Sequence, residues 1–194
     1  MKLTITHQQY YSRIELLLRS IFGAIYIVLP HVFILFFLGM WGNILHFIAF
    51  WVILFTGRYP ESMFEYQVQL LRWQLRLNAR IFNLSDDYPA FGLKASDEHT
   101  SLEVPYPEKV SRGLTLVRLF FGVFYVILPH FFILYFRILW GFILSFLSFW
   151  AVLFTGKFPA SWHIFLVGTL RWQYRVNLYL SNMTDEYPPF HGRE

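Results

Sequence analysis

Charge disappears from this chain twice. Between Arg19 and Arg58 there is no Lys, Arg, Asp or Glu, and between Arg118 and Lys157 there is only Arg137. Each run holds 38 residues, about twice the roughly 20 that cross a hydrocarbon core as a helix. The pattern predicts a helical hairpin over 20–57 and a second over 119–156, each with two apolar passes joined by a tight turn. Trp41-Gly42 and Trp140-Gly141 mark the expected turns, with tryptophan where interfacial aromatics belong. Pro30 and Pro129 fall inside the first passes, where a membrane helix tolerates proline. Gly57 and Gly156 follow the last apolar residues as helix stops. The pass from Trp41 to Thr56 has 16 residues and spans about 24 Å as a helix. That is short of a core roughly 30 Å thick, so a re-entrant hairpin is the alternative to a crossing one.

A different periodicity follows each run. Over 60–84, Glu61, Glu65, Gln69, Arg72, Arg76, Arg80 and Asn83 fall within an arc of about 100° on a helical wheel. Most of the remainder is apolar. A narrow basic stripe on a wide apolar cylinder describes an amphipathic helix in a membrane interface, and Pro60 suits its first turn. The segment 159–180 repeats the design with Arg171 and Arg175, but has Ala160 and Ile164 in place of Glu61 and Glu65. It is expected to be the more deeply buried of the two.

The two halves are copies. A shift of 99 positions aligns 12–91 with 111–190 without a gap and gives 39 identities in 80. The shared segments include Leu-Pro-His at 29–31 and 128–130, Arg-Trp-Gln at 72–74 and 171–173, and Asp-x-Tyr-Pro-x-Phe at 86–91 and 185–190. Repeats of 1–91 and 111–194 flank a polar, linker-like stretch at 92–110. With an even number of passes in each, the copies are expected to be parallel repeats about an axis along the membrane normal.

Composition agrees with the pattern. The chain is 56% hydrophobic, 22% aromatic and only 14% charged, with a mean hydropathy of +0.44; soluble domains carry about 25% charged residues. Such a chain is not disordered. The absence of cysteine excludes a disulfide framework and a zinc–thiolate site. The fold class is therefore read as an all-α integral membrane protein. Of the 16 Lys and Arg, only Arg137 lies near a predicted turn, so the positive-inside rule places both termini and the central segment in the cytoplasm. The polar residues 1–12 do not read as a cleavable signal peptide. A pI near 9.4 is assigned to anionic lipid headgroups rather than to nucleic acid.

Several motifs together resemble a known family. The run Pro-His-x-Phe-Ile-Leu, then Phe-Trp-x-x-Leu-Phe-Thr-Gly-Lys-Phe-Pro, Arg-Trp-Gln-x-Arg-Val-Asn and Asp-Glu-Tyr-Pro-Pro-Phe is similar to domain-of-unknown-function family 4389. So is the opening Tyr106-Pro-Glu-Lys-Val-Ser-Arg112. The resemblance covers most of 106–190 and, more loosely, 12–91, where Ala90 and the Tyr10-Tyr11-Ser12 opening depart from it. It implies a bacterial membrane protein and carries no activity.

Candidate chemistry is sparse. His31 and His130 are intramembrane ionisable groups, which are functional candidates by default; the competing reading has each histidine capping carbonyls freed by the adjacent proline. His46 aligns with Ser145 and is read as a structural hydrogen-bonding group. Arg72, Arg76, Arg171 and Arg175, beside Trp73 and Trp172, are candidate lipid-headgroup ligands through guanidinium forks, or else general interfacial anchors. Gln74, Asn78, Gln173 and Asn177 lie off the basic stripe and are expected to bond a neighbouring helix. Asp86-Asp87 and Asp185-Glu186 are read as helix terminators rather than catalytic pairs. No metal set, cofactor loop or nucleophile motif occurs. The expectation is a non-catalytic accessory subunit of a bacterial inner-membrane assembly, with other membrane subunits, a second copy of itself and anionic lipids as partners. A lipid-handling or small-solute transport protein working at the repeat interface is the alternative.

Overall fold

A computed structural model describes all 194 residues. Four helices carry the fold: α1 (Arg13–Thr56), α2 (Glu61–Ile81), α3 (Arg112–Thr155) and α4 (Ala160–Leu180). Two short strands, β1 (Lys2–Ile5) and β2 (Thr100–Glu103), pair antiparallel, so the stretch 92–110 is more than a linker.

Each charge-free run forms one continuous helix, which corrects the two-pass hairpin expected from its length. The helix runs straight through Trp41-Gly42 and Trp140-Gly141. A single glycine does not end a helix, and no proline follows to stop it. These glycines are packing notches. A Cβ on Gly42 would lie 3.2 Å from Leu70 Cδ2, and one on Gly141 would lie 3.3 Å from Leu166 Cδ2. The hairpin in each repeat is instead the long helix plus the amphipathic one. Along it, the Tyr66 hydroxyl donates to the Leu38 carbonyl (2.8 Å) and Gln67 Nε2 to the Gly42 carbonyl (2.6 Å). The helix stops fall where expected: Gly57 and Gly156 cap α1 and α3 at φ = 71°, a left-handed conformation that glycine adopts without a Cβ clash. Ser12 and Ser111 cap the starts, accepting from the Glu15 and Leu114 amides.

The long helices run in opposite directions. Val110 N–H donates to the Gly57 carbonyl, and Tyr11 N–H to the Gly156 carbonyl, each at 2.9 Å. Arg13 also reaches the Phe154 carbonyl at 3.0 Å. The end of each long helix therefore meets the start of the other. The copies are related by a pseudo-two-fold axis perpendicular to α1 and α3, because the stretch 92–110 runs back along α2, from Ala95 at Arg76 through Leu102 at Arg72 to Val110 at Gly57, before α3 begins. The ribbon obeys the same symmetry: Leu3 pairs with Leu102, its own counterpart 99 positions on.

Leu71, Leu75, Leu170 and Tyr174 belong to the core, and the Tyr174 hydroxyl donates to the Leu71 carbonyl (3.4 Å). The two amphipathic helices are buried almost equally, with ten buried residues in α2 and eleven in α4. By contrast, only 17% and 22% of the most apolar stretches of α1 and α3 are buried. Both long helices are long and apolar enough to cross a membrane.

Candidate functional site

Proline removes an amide, so the carbonyl four residues earlier loses its donor. Here Pro30 and Pro129 follow single π-helical turns at Ala24–Val28 and Val123–Ile127. The Tyr88 hydroxyl donates to the Tyr26 carbonyl (2.8 Å), and the Tyr187 hydroxyl to the Tyr125 carbonyl (2.7 Å). Tyrosine from the Asp-x-Tyr-Pro-x-Phe motif thus caps the proline site, the role that the sequence reading offered to histidine.

His31 and His130 do something else. Each is essentially fully buried and accepts at Nδ1 from an indole N–H: Trp73 at 2.8 Å and Trp172 at 2.9 Å. That bond fixes the tautomer with the proton on Nε2. Phe91 stacks on His31 at 4.0 Å, and Phe190 on His130 at 4.2 Å. Both Nε2 atoms are buried without a partner.

The first residue of the motif closes the unit. Asp86 accepts from the Ser12 amide (2.6 Å) and from Arg19 (3.0 Å); Asp185 does the same with Ser111 (2.7 Å) and Arg118 (2.9 Å). These aspartates end the unit by clasping the start of its own long helix. Arg19 and Arg118 were not singled out in the sequence, although both are identical between copies and each sits at the edge of a charge-free run.

The four candidate arginines are engaged with backbone. Arg72 donates to the Leu102 carbonyl (3.0 Å) and Arg171 to the Leu3 carbonyl (2.9 Å), a symmetric pair of clamps on the ribbon. Arg76 holds the Ala95 and Gly92 carbonyls, and Arg175 the His191 carbonyl. Trp73 and Trp172, the lipid-anchor candidates, are buried against the histidines.

A family model for a domain of unknown function, DUF4389, matches residues 13–92 and again 115–191. The chain belongs to the DUF4389 family, as two tandem copies. The matched regions of this DUF4389 protein contain the Arg–Asp half of the clasp, the tyrosine cap and the Trp–His–Phe stack in both copies. No curated protein and no solved structure matches the chain.

Outside those clusters, the DUF4389 repeats share one uncharged polar pocket of about 240 Å³. Asn43, His46 and Gln74 come from the first copy, and Asn177 and Ser181 from the second. His46 also lies 3.5 Å from the Tyr59 hydroxyl. Amides, a hydroxyl and an imidazole there can hold water or a neutral polar group. Of the other off-stripe amides, Gln173 lines a small apolar pocket with Phe82 and Leu166, while Asn78 is half-buried on α2.

Proposed function

We propose that this protein is a non-catalytic, membrane-seated accessory element whose long helices lie along the membrane rather than crossing it. The observation that carries the reading is the uncovered apolar surface of both long helices. Phe22, Phe33, Met40 and Trp51 on α1, with Phe121, Phe132, Leu139 and Trp150 on α3, are each more than 40% exposed. Surface of that kind is a site of contact with lipid or partner.

Two features support a lie along the plane. A continuous helix of 44 residues measures about 66 Å along its path, twice the roughly 30 Å core. Charge also sits at mid-height. Arg72 lies on α2 between the residues that contact Leu38 and His31, the middle of α1, and it clamps a ribbon that exposes Lys2 and Glu103. Upright helices would hold these charges at the bilayer centre, at a cost of several kcal/mol each. Lying flat, the pseudo-two-fold axis follows the membrane normal, as parallel repeats require, and the ribbon faces the cytoplasm.

Mild extraction of the tagged protein from native membranes, followed by mass spectrometry, tests the accessory role. A stoichiometric protein partner is expected. Recovery of the lone chain with one phospholipid class would overturn it and favour lipid handling at the repeat interface, the reading that the shared polar pocket supports.

A further inference from the structure

The copies differ most in chemistry at one place, the outer face of α4. In the first copy Glu65 accepts from Arg72 and Gln69, closing the basic stripe on itself. In the second, Ile164 and Gly168 occupy those positions, and the internal carboxylate is gone. Two changes that add basic groups accompany the loss: Arg137 stands where the first copy has Leu38, and His163 where it has Phe64.

These residues line one cavity of about 740 Å³, together with Arg171, Arg193 and Glu194. Arg137 is the only charge in either apolar run, and it turns inward. Its guanidinium lies 4.2 Å from the Phe165 ring centre, its Nε donates to Thr169 (2.9 Å), and no carboxylate pairs with it. Gly168 leaves it room, since a Cβ there would lie 3.2 Å from Arg137 Nη2 and 3.1 Å from the Gly192 carbonyl. His163 is 4% exposed with Nε2 unpartnered. The sole acid in the lining is Glu194, which meets Arg171 at 3.2 Å with its own side chain 78% exposed. That carboxylate is loosely held, and a stronger anion can displace it.

We propose that this cavity is an anion site for a phosphate group, carried either by a phospholipid headgroup or by a soluble phosphate compound. Arg137 supplies a guanidinium that matches phosphate oxygens, Arg171, held on the Leu3 and Gly192 carbonyls, supplies the Nη2 donor now on Glu194, and His163 supplies a neutral polar contact. The volume exceeds a bare phosphate and admits the group that bears it. Arg137 projects from the apolar helix, which places the cavity beside lipid if α3 is seated in a membrane. The site itself does not depend on that seating.

The test uses the full chain purified in neutral detergent, titrated separately with inorganic phosphate and with short-chain phosphatidylglycerol or phosphatidylcholine, at low and high salt. Two variants copy the first repeat. Arg137→Leu removes the inward cation, and Ile164→Glu, at a 70% exposed position, restores the internal carboxylate without removing any cation. Unliganded melting curves confirm that both fold. Phosphate or phosphatidylglycerol should bind the native chain, salt-sensitively, and each variant should weaken binding by about tenfold or more, the loss of one charge-assisted contact. Binding of inorganic phosphate assigns a soluble ligand; binding of phosphatidylglycerol alone assigns a headgroup. No binding of either, or equal binding of phosphatidylcholine unaffected by both variants, overturns the site.

Discussion

At the residue scale, the motif Asp-x-Tyr-Pro-x-Phe combines three mechanical parts: a clasp for the helix start, a cap for the carbonyl opposite proline, and a plate over the buried histidine. Tyr88→Phe removes one hydroxyl and leaves the Tyr26 carbonyl unpaired. Its cost should be about 1 kcal/mol, read as a lower melting temperature in detergent, and Tyr187→Phe should match it. Trp73→Phe strands the buried Nδ1 of His31 and should cost about 1–3 kcal/mol; an unchanged melting point would show that the indole bond is dispensable. His163 gives a pH signature. Burial, with His7 beside it, holds its pKa down at about 4, below the usual 6.5. Between those values the unfolded chain binds a proton that the folded chain does not, so stability should fall as pH drops from about 6.5 towards 4. His163→Phe, the residue type found at Phe64, should flatten that part of the profile. Little of this was legible beforehand. The sequence showed that the motif recurs, but not that its tyrosine, rather than the histidine next to the proline, reaches the freed carbonyl.

The element scale shows where two copies reach the same fold by different means. In the first, Arg80, 1% exposed, pairs with Glu15 across the start of α1. In the second, Leu114 and Tyr179 take those positions, and Arg118 lies over the Tyr179 ring at 4.0 Å. Glu15→Leu alone leaves a buried guanidinium with only the Asp86 carbonyl as partner and should cost about 1–3 kcal/mol, whereas Glu15→Leu with Arg80→Tyr should recover most of it. A double-mutant cycle on thermal unfolding reads that coupling; additive losses would contradict it. The elements themselves were partly legible. Helix stops at Gly57 and Gly156, the amphipathic helices and the proline positions all follow from local pattern. The false turns at Trp41-Gly42 and Trp140-Gly141 arose because glycine serves a turn and a close helix contact equally well, and only the packing partner distinguishes the two.

For the whole molecule, duplication was plain in the sequence and the sense of the copies was not. Relative direction depends on the stretch 92–110, which runs back along α2 to Gly57 before α3 begins and reads in the sequence only as a polar linker. The ribbon pairing of Leu3 with Leu102 was also out of reach, since 1–11 and 100–110 carry almost no sequence signal. Antiparallel long helices with charge at their mid-height make the membrane-plane lie the central claim. Single cysteines at Ile21, Phe33 and Trp51, exposed positions opposite the buried stripe of α1 on either side of its π-helical turn, report on it directly. The chain has no native cysteine, so spin labels at these positions can be read for depth in lipid vesicles. A helix lying along the membrane predicts similar depths at all three. A deep value at Phe33 between two shallow ends would mean that α1 crosses the bilayer, and would contradict the account.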